Sequence, residues 1–156
     1  MANTDVTLDS TRITTLSNQE RAQGFTHKYT VKYTDIDEGS GSSDTVTVTL
    51  GNTPTDFVIT KAMINVTTAF AGTGALTVEF GTDGDPNGFI TSTSVAAVGP
   101  IATQAGAVPA AAGACAGAAS DVIEALFTNS SSGSPSALTA GELDIYIGML
   151  SANSVG

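Results

Sequence analysis

Asp83-Gly84-Asp85-Pro86-Asn87-Gly88 is the stretch whose residue types and spacing come nearest to a binding site. Asp83, Asp85 and Asn87 set oxygen-bearing side chains on alternate positions, with a glycine for the bend, as in the first half of an EF-hand calcium loop. Three such oxygens can converge on one hard cation. The second half of that pattern fails: its twelfth position is Ser94 rather than Glu, and no helices flank the loop. A tight turn after a strand, with Asp side chains bonding their own backbone, accounts for the same residues. Asp83, Asp85 and Asn87 are therefore weak metal candidates. The loop supplies too few oxygens by itself, so no metal or other cofactor is expected to be needed for folding.

The other reactive residue types do not assemble. His27 is the single histidine, and the chain has no Gly-x-Ser-x-Gly elbow or oxyanion motif to turn its Ser and Asp content into a triad. Gly72-Thr73-Gly74 lacks the following helix and the Gly-Lys-Ser/Thr of a phosphate loop, and reads as a turn. Cys115, in Ala-Gly-Ala-Cys-Ala-Gly-Ala, has neither a base nor a second ligand beside it, and fits a small buried apolar residue. The acidic loop from Asp35 to Asp44 reads as a solvated tip. No enzyme is expected.

What must position these residues is a set of strands. Tyr29, Val31 and Tyr33 alternate with Lys28, Thr30, Lys32 and Thr34, and Val46, Val48 and Leu50 alternate with Thr45, Thr47 and Thr49. Phe57 to Phe70, the turn Ala71-Gly72-Thr73-Gly74, and Leu76 to Phe80 carry the pattern of a β-hairpin. The first of those two runs mixes parities. Val58, Ala62, Ile64, Val66 and Phe70 share one, whereas Phe57, Ile59 and Met63 share the other. Either the strand is covered on both faces, or a bulge near Lys61 shifts its register. Shorter runs follow at Phe89 to Ser92 and Val122 to Phe127, with a weak strand expected around Gly106 to Ala111. The closing strand, Gly141 to Leu150, sets Leu143, Ile145, Ile147 and Met149 on one face and Asp144 and Tyr146 on the other. About eight short strands between Gly/Pro/Ser turns point to an all-β antiparallel jelly-roll-like β-sandwich, with a barrel or an immunoglobulin-like sandwich as alternatives.

Residues 1–25 read as an N-terminal arm and residues 26–156 as a single β-sandwich domain. Within the arm, Val6, Leu8, Ile13 and Leu16 are apolar without clear periodicity. Ser17-Asn18-Gln19-Glu20 has capping-box spacing, and Gly24 fits the end of a helix of a turn or two. Such an arm gains order by lying on its own sheet or on a neighbour, which makes these four apolar residues candidate contacts with another subunit or a partner protein.

The chain has 156 residues, enough for one domain that buries roughly two-thirds of its unfolded surface. Only 13% of residues are charged, and the net charge is −10 from five Lys and Arg against fifteen Asp and Glu. An acidic chain has no basic face for phosphate, so nucleic acid is not an expected partner. The Met1-Ala2-Asn3-Thr4-Asp5 start has no apolar run of a secretion signal, and the Ala105 to Ala119 tract is too weakly hydrophobic to span a membrane. No membrane partner is expected.

Asn65-Val66-Thr67-Thr68-Ala69-Phe70-Ala71-Gly72, Leu76-Thr77-Val78 and Gly81-Thr82-Asp83-Gly84-Asp85-Pro86 carry a further signal. So do Tyr29 to Asp35 and Thr45 to Leu50, in the same order. Together these segments resemble a family of tailed-phage virion structural proteins common in aquatic viral sequences, of the capsid cement or decoration jelly-roll type. The likeness spans about Lys28 to Phe89 and the closing strand near Leu143 to Leu150. It implies a capsid-associated protein on the outer shell, working as a homo-oligomer, a trimer, with the major capsid protein as partner. The implied location is the virion, after synthesis in the host cytoplasm without a signal peptide. It carries over no catalytic residue. The alternative is a jelly-roll carbohydrate- or calcium-binding module in a phage fibre or receptor-binding head; with no Trp and three Tyr, the chain offers few aromatics for sugar.

Overall fold

The computed structural model describes residues 3–7, 16–36, 44–52, 57–104, 122–130 and 134–151. Among them are nine strands: β1 (Asn3–Thr7), β2 (His27–Lys32), β3 (Thr45–Asn52), β4 (Phe57–Ala71), β5 (Leu76–Thr82), β6 (Asp85–Ser94), β7 (Gly99–Gln104), β8 (Val122–Asn129) and β9 (Ala140–Ser151). One short helix, α1 (Asn18–Ala22), precedes β2.

The strands form two sheets, in the orders β1-β3-β8-β5-β6 and β2-β9-β4-β7. Every pairing among β2 to β9 is antiparallel. These eight strands divide four and four, and the chain crosses between sheets at every step except β5 to β6. That winding is a jelly roll, two Greek keys folded into a double sheet. β1 adds a fifth strand at one edge, parallel to β3 from Asn3 opposite Thr45 to Thr7 opposite Thr49.

Alternation along each strand explains where the core lies. Val46, Val48, Val78, Phe80, Phe127, Ile145 and Ile147 have no exposed surface and pack into one cluster, together with Leu76 and Val31. β8 shows the pattern most clearly, with Ile123, Ala125, Phe127 and Asn129 buried and the residues between them half-buried. Rings interlock across the core, Phe80 with Phe89 at 5.3 Å and Phe70 with Phe127 at 6.1 Å between centroids. Each buried Val, Ile or Phe side chain contributes about 1.5–3 kcal/mol relative to exposure.

β4 resolves its mixed parity by a bulge. Its register against β9 shifts between Ile59 and Lys61, so Ile59 before the shift and Ala62, Ile64 and Val66 after it all face the core. The strand is central, between β9 and β7.

The expected hairpin of β4 and β5 is not formed. The two strands lie in opposite sheets, and residues 72–75 are an arch carrying the chain from one sheet to the other. Gly72 is needed there: its φ is +110°, and a Cβ would run into the Ala137 carbonyl oxygen. β5 pairs instead with β6 and β8.

The described residues of the 1–25 segment lie on the sandwich, with β1 paired to β3 and Leu16 and Phe25 buried against Tyr146. One further expectation is corrected. Asp35 is not a solvated tip. It ends a 3₁₀ turn, Tyr33–Asp35, with its carboxylate buried and accepting the Lys32 N–H at 2.7 Å. The weak strand expected around Gly106 to Ala111 lies outside the described residues; a strand forms earlier, at Gly99–Gln104.

Candidate functional site

Asp83 and Gly84 form the two-residue turn of the β5–β6 hairpin, where Thr82 stands opposite Asp85. The Asp83 N–H donates to the Val122 carbonyl at 3.0 Å, which ties the turn to the start of β8. Asp83 and Asn87 are exposed and Asp85 is half-buried. Among the described residues, no three His, Cys, Asp or Glu side chains come together as a metal-holding group. The turn connects β5 to β6. His27 opens β2 beside Thr26, whose hydroxyl lies 2.8 Å from its Nδ1. Burial holds the His27 pKa below its ordinary value. Cys115 lies outside the described residues, as do Leu8 and Ile13.

The best-formed constellation is on the outer face of the four-stranded sheet. It begins with Ser17, whose side chain accepts the Glu20 N–H at 3.2 Å while the Glu20 carboxylate accepts the Ser17 N–H at 2.6 Å. This capping box starts α1, and Gly24 at φ +85° ends the turn that follows it. The segment then lies across the sheet. Leu16 and Phe25 bury against Tyr146, with Met63 beside them, and the Phe25 and Tyr146 rings stand 5.4 Å apart at 49°.

Charges close around this apolar centre. Lys28 Nζ sits 3.1 Å from Asp144 and 3.7 Å from Glu20, and 5.2 Å from the centre of the Tyr146 ring. The Thr30 hydroxyl donates to the second Asp144 oxygen at 2.6 Å. Lys61, set by the β4 bulge, places Nζ 4.7 Å from the centre of the Phe25 ring. Burial works to lower the Lys28 pKa, but its bonds to Asp144 and Tyr146 and the Asp144 charge outweigh it and hold the pKa above the ordinary value. Backbone bonding from Ser17 holds the Glu20 carboxyl below the usual range. Burial, with a bond to Glu20, pushes the Tyr146 hydroxyl up. Lys28 is paired with Asp144 and Glu20, and with the apolar contacts these pairs make a clasp that holds residues 16–25 to the sheet.

Comparison with family models, curated proteins and solved structures finds no match to this chain.

The four candidate contact residues are therefore divided. Leu16 is 8% exposed and is covered within its own chain, while Val6 lies in β1 at the edge of the five-stranded sheet. Sequence reasoning placed Tyr146 and Asp144 on the polar face of the last strand and stopped there. The available signal was an aromatic residue on that face, together with Phe25 directly after the helix-ending Gly24.

Proposed function

We propose that this chain is a non-enzymatic structural protein of a virion. It acts as a cement or decoration protein, bound as a symmetric trimer to the outside of a tailed-phage head, with the major capsid protein as its partner. The observation that carries the reading is the placement of the resembling segments. They fall on β2 through β6 and on β9, strands of both sheets, in a jelly-roll order. A fold alone does not define a role, since sandwiches of this kind host many. The charge-poor composition fits a protein covered by neighbours.

Attachment runs through the chain before the clasp. β1 terminates its sheet, and among the described residues nothing pairs with its far edge. Such an edge offers backbone donors and acceptors to an added strand. Several arms per oligomer multiply the binding strength of each one.

Deletion of Ala2 to Thr15 tests this reading. The truncated protein keeps its far-ultraviolet circular dichroism, because the clasp and the eight-stranded roll remain, while its co-sedimentation with capsids weakens. Equal binding by the truncated and full chains contradicts attachment through the arm.

A further inference from the structure

Of the seven asparagines in the chain, only Asn87 is followed by glycine. In such a pair the glycine nitrogen can attack the asparagine side-chain amide, because no Cβ stands beside that nitrogen to shield it. Whether it does so in a folded protein depends on exposure and on the freedom of the local backbone.

The fold leaves this pair open. Thr82 stands opposite Asp85 and Phe80 opposite Ile90, so residues 86–89 bulge from the ladder with only Gly81 facing them. Among the described residues β6 is the last strand of its sheet, and Asn87 is exposed. Gly88 is held as glycine, since a Cβ there would stand 2.9 Å from the Asp85 carboxylate. Asn129 is the opposite case. It too precedes a small residue, Ser130, but it is only 3% exposed. The Ser130 N–H, the group that would attack, donates instead to the Ala75 carbonyl at 3.1 Å.

We propose that Asn87 is a site of spontaneous deamidation. The Gly88 nitrogen bonds to the side-chain carbonyl carbon of Asn87, and the amide nitrogen leaves with the Gly88 proton as ammonia, closing a cyclic imide. Water then opens the ring at either carbonyl. One opening gives aspartate. The other gives isoaspartate, whose main chain runs through the former side chain. Both products alter the hairpin. Aspartate sets a third carboxylate close to Asp83 and Asp85. Isoaspartate puts an extra carbon into the main chain just before Phe89, whose buried ring packs 5.3 Å from Phe80. That extra length pushes Phe89 and Ile90 against a close-packed core, so the isoaspartyl form is the less stable of the two.

Peptide mapping of the full chain, aged at mildly alkaline pH, tests this, with electron-transfer fragmentation to separate the two acids. In the folded chain Asn87 gains the mass of an amide turned into an acid about tenfold or more faster than Asn129. In urea Asn129 speeds up while Asn87 changes little, because only Asn129 has folded protection to lose. Asn87→Gln, which closes the corresponding ring far more slowly, removes the gain and leaves circular dichroism unchanged. The isoaspartyl fraction unfolds at lower denaturant than the aspartyl one. Asn87 that stays intact in the folded chain but converts in urea overturns the proposal, since the bulge then protects the pair. Equal rates at Asn87 and Asn129 in the folded chain overturn it too. Isoaspartyl and aspartyl forms that unfold together contradict the coupling to Phe89.

Discussion

Phe80 has no exposed surface, and its ring packs 5.3 Å from that of Phe89 in the middle of the core. Phe80→Ala removes that ring and leaves a cavity that rigid sheets on both sides cannot close, so denaturant titration should show a loss of about 3–5 kcal/mol. A loss under about 1 kcal/mol would contradict the placement. His27 gives a second test through proton linkage. Its folded pKa is lowered by burial, so acidification favours the unfolded chain, which protonates more readily. Any stability it contributes is fully present above the unfolded value of about 6.5 and is lost as pH falls from there toward the folded value. NMR titration of the single histidine should give a midpoint below that of a model peptide; a midpoint at or above it rules out the buried setting.

The clasp depends on a few residues acting together. Phe25 supplies the apolar contact with Tyr146, receives the Lys61 cation over its face, and follows the Gly24 bend that turns the chain toward β2. Phe25→Ala should free residues 16–25 from the sheet without unfolding the sandwich, whose core cluster contains none of them. Arg21 is exposed on α1, so limited trypsin digestion should cut there faster in the variant, while melting of the sandwich shifts little. Unchanged cleavage would mean that the salt bridges of Lys28 hold the segment without the ring. Strands such as β3, β5 and β9 were legible because their core-facing residues, Val46 and Val48, Val78 and Phe80, and Ile145 and Ile147, fall on alternate positions. The partner of a strand was not. Phe57 to Phe80 contains two strands and a turn, and nothing local distinguishes a hairpin from an arch between sheets. The clasp was hidden for a related reason: Tyr146 reads as solvent-facing until a distant segment covers it.

Across the whole molecule, the jelly roll gathers one apolar core between two sheets and leaves a surface poor in charge. The fold class was legible from strand number and turn chemistry. The role was not, because the proposed structural role would rest on shape and surface contact, and neither leaves a motif. The content of purified particles tests the proposed role most directly. Quantitative mass spectrometry of tailed-phage virions that encode this chain should find it in a fixed ratio to the major capsid protein, retained through purification. Its absence from the particles, or a trace level that varies between preparations, would contradict the proposed role.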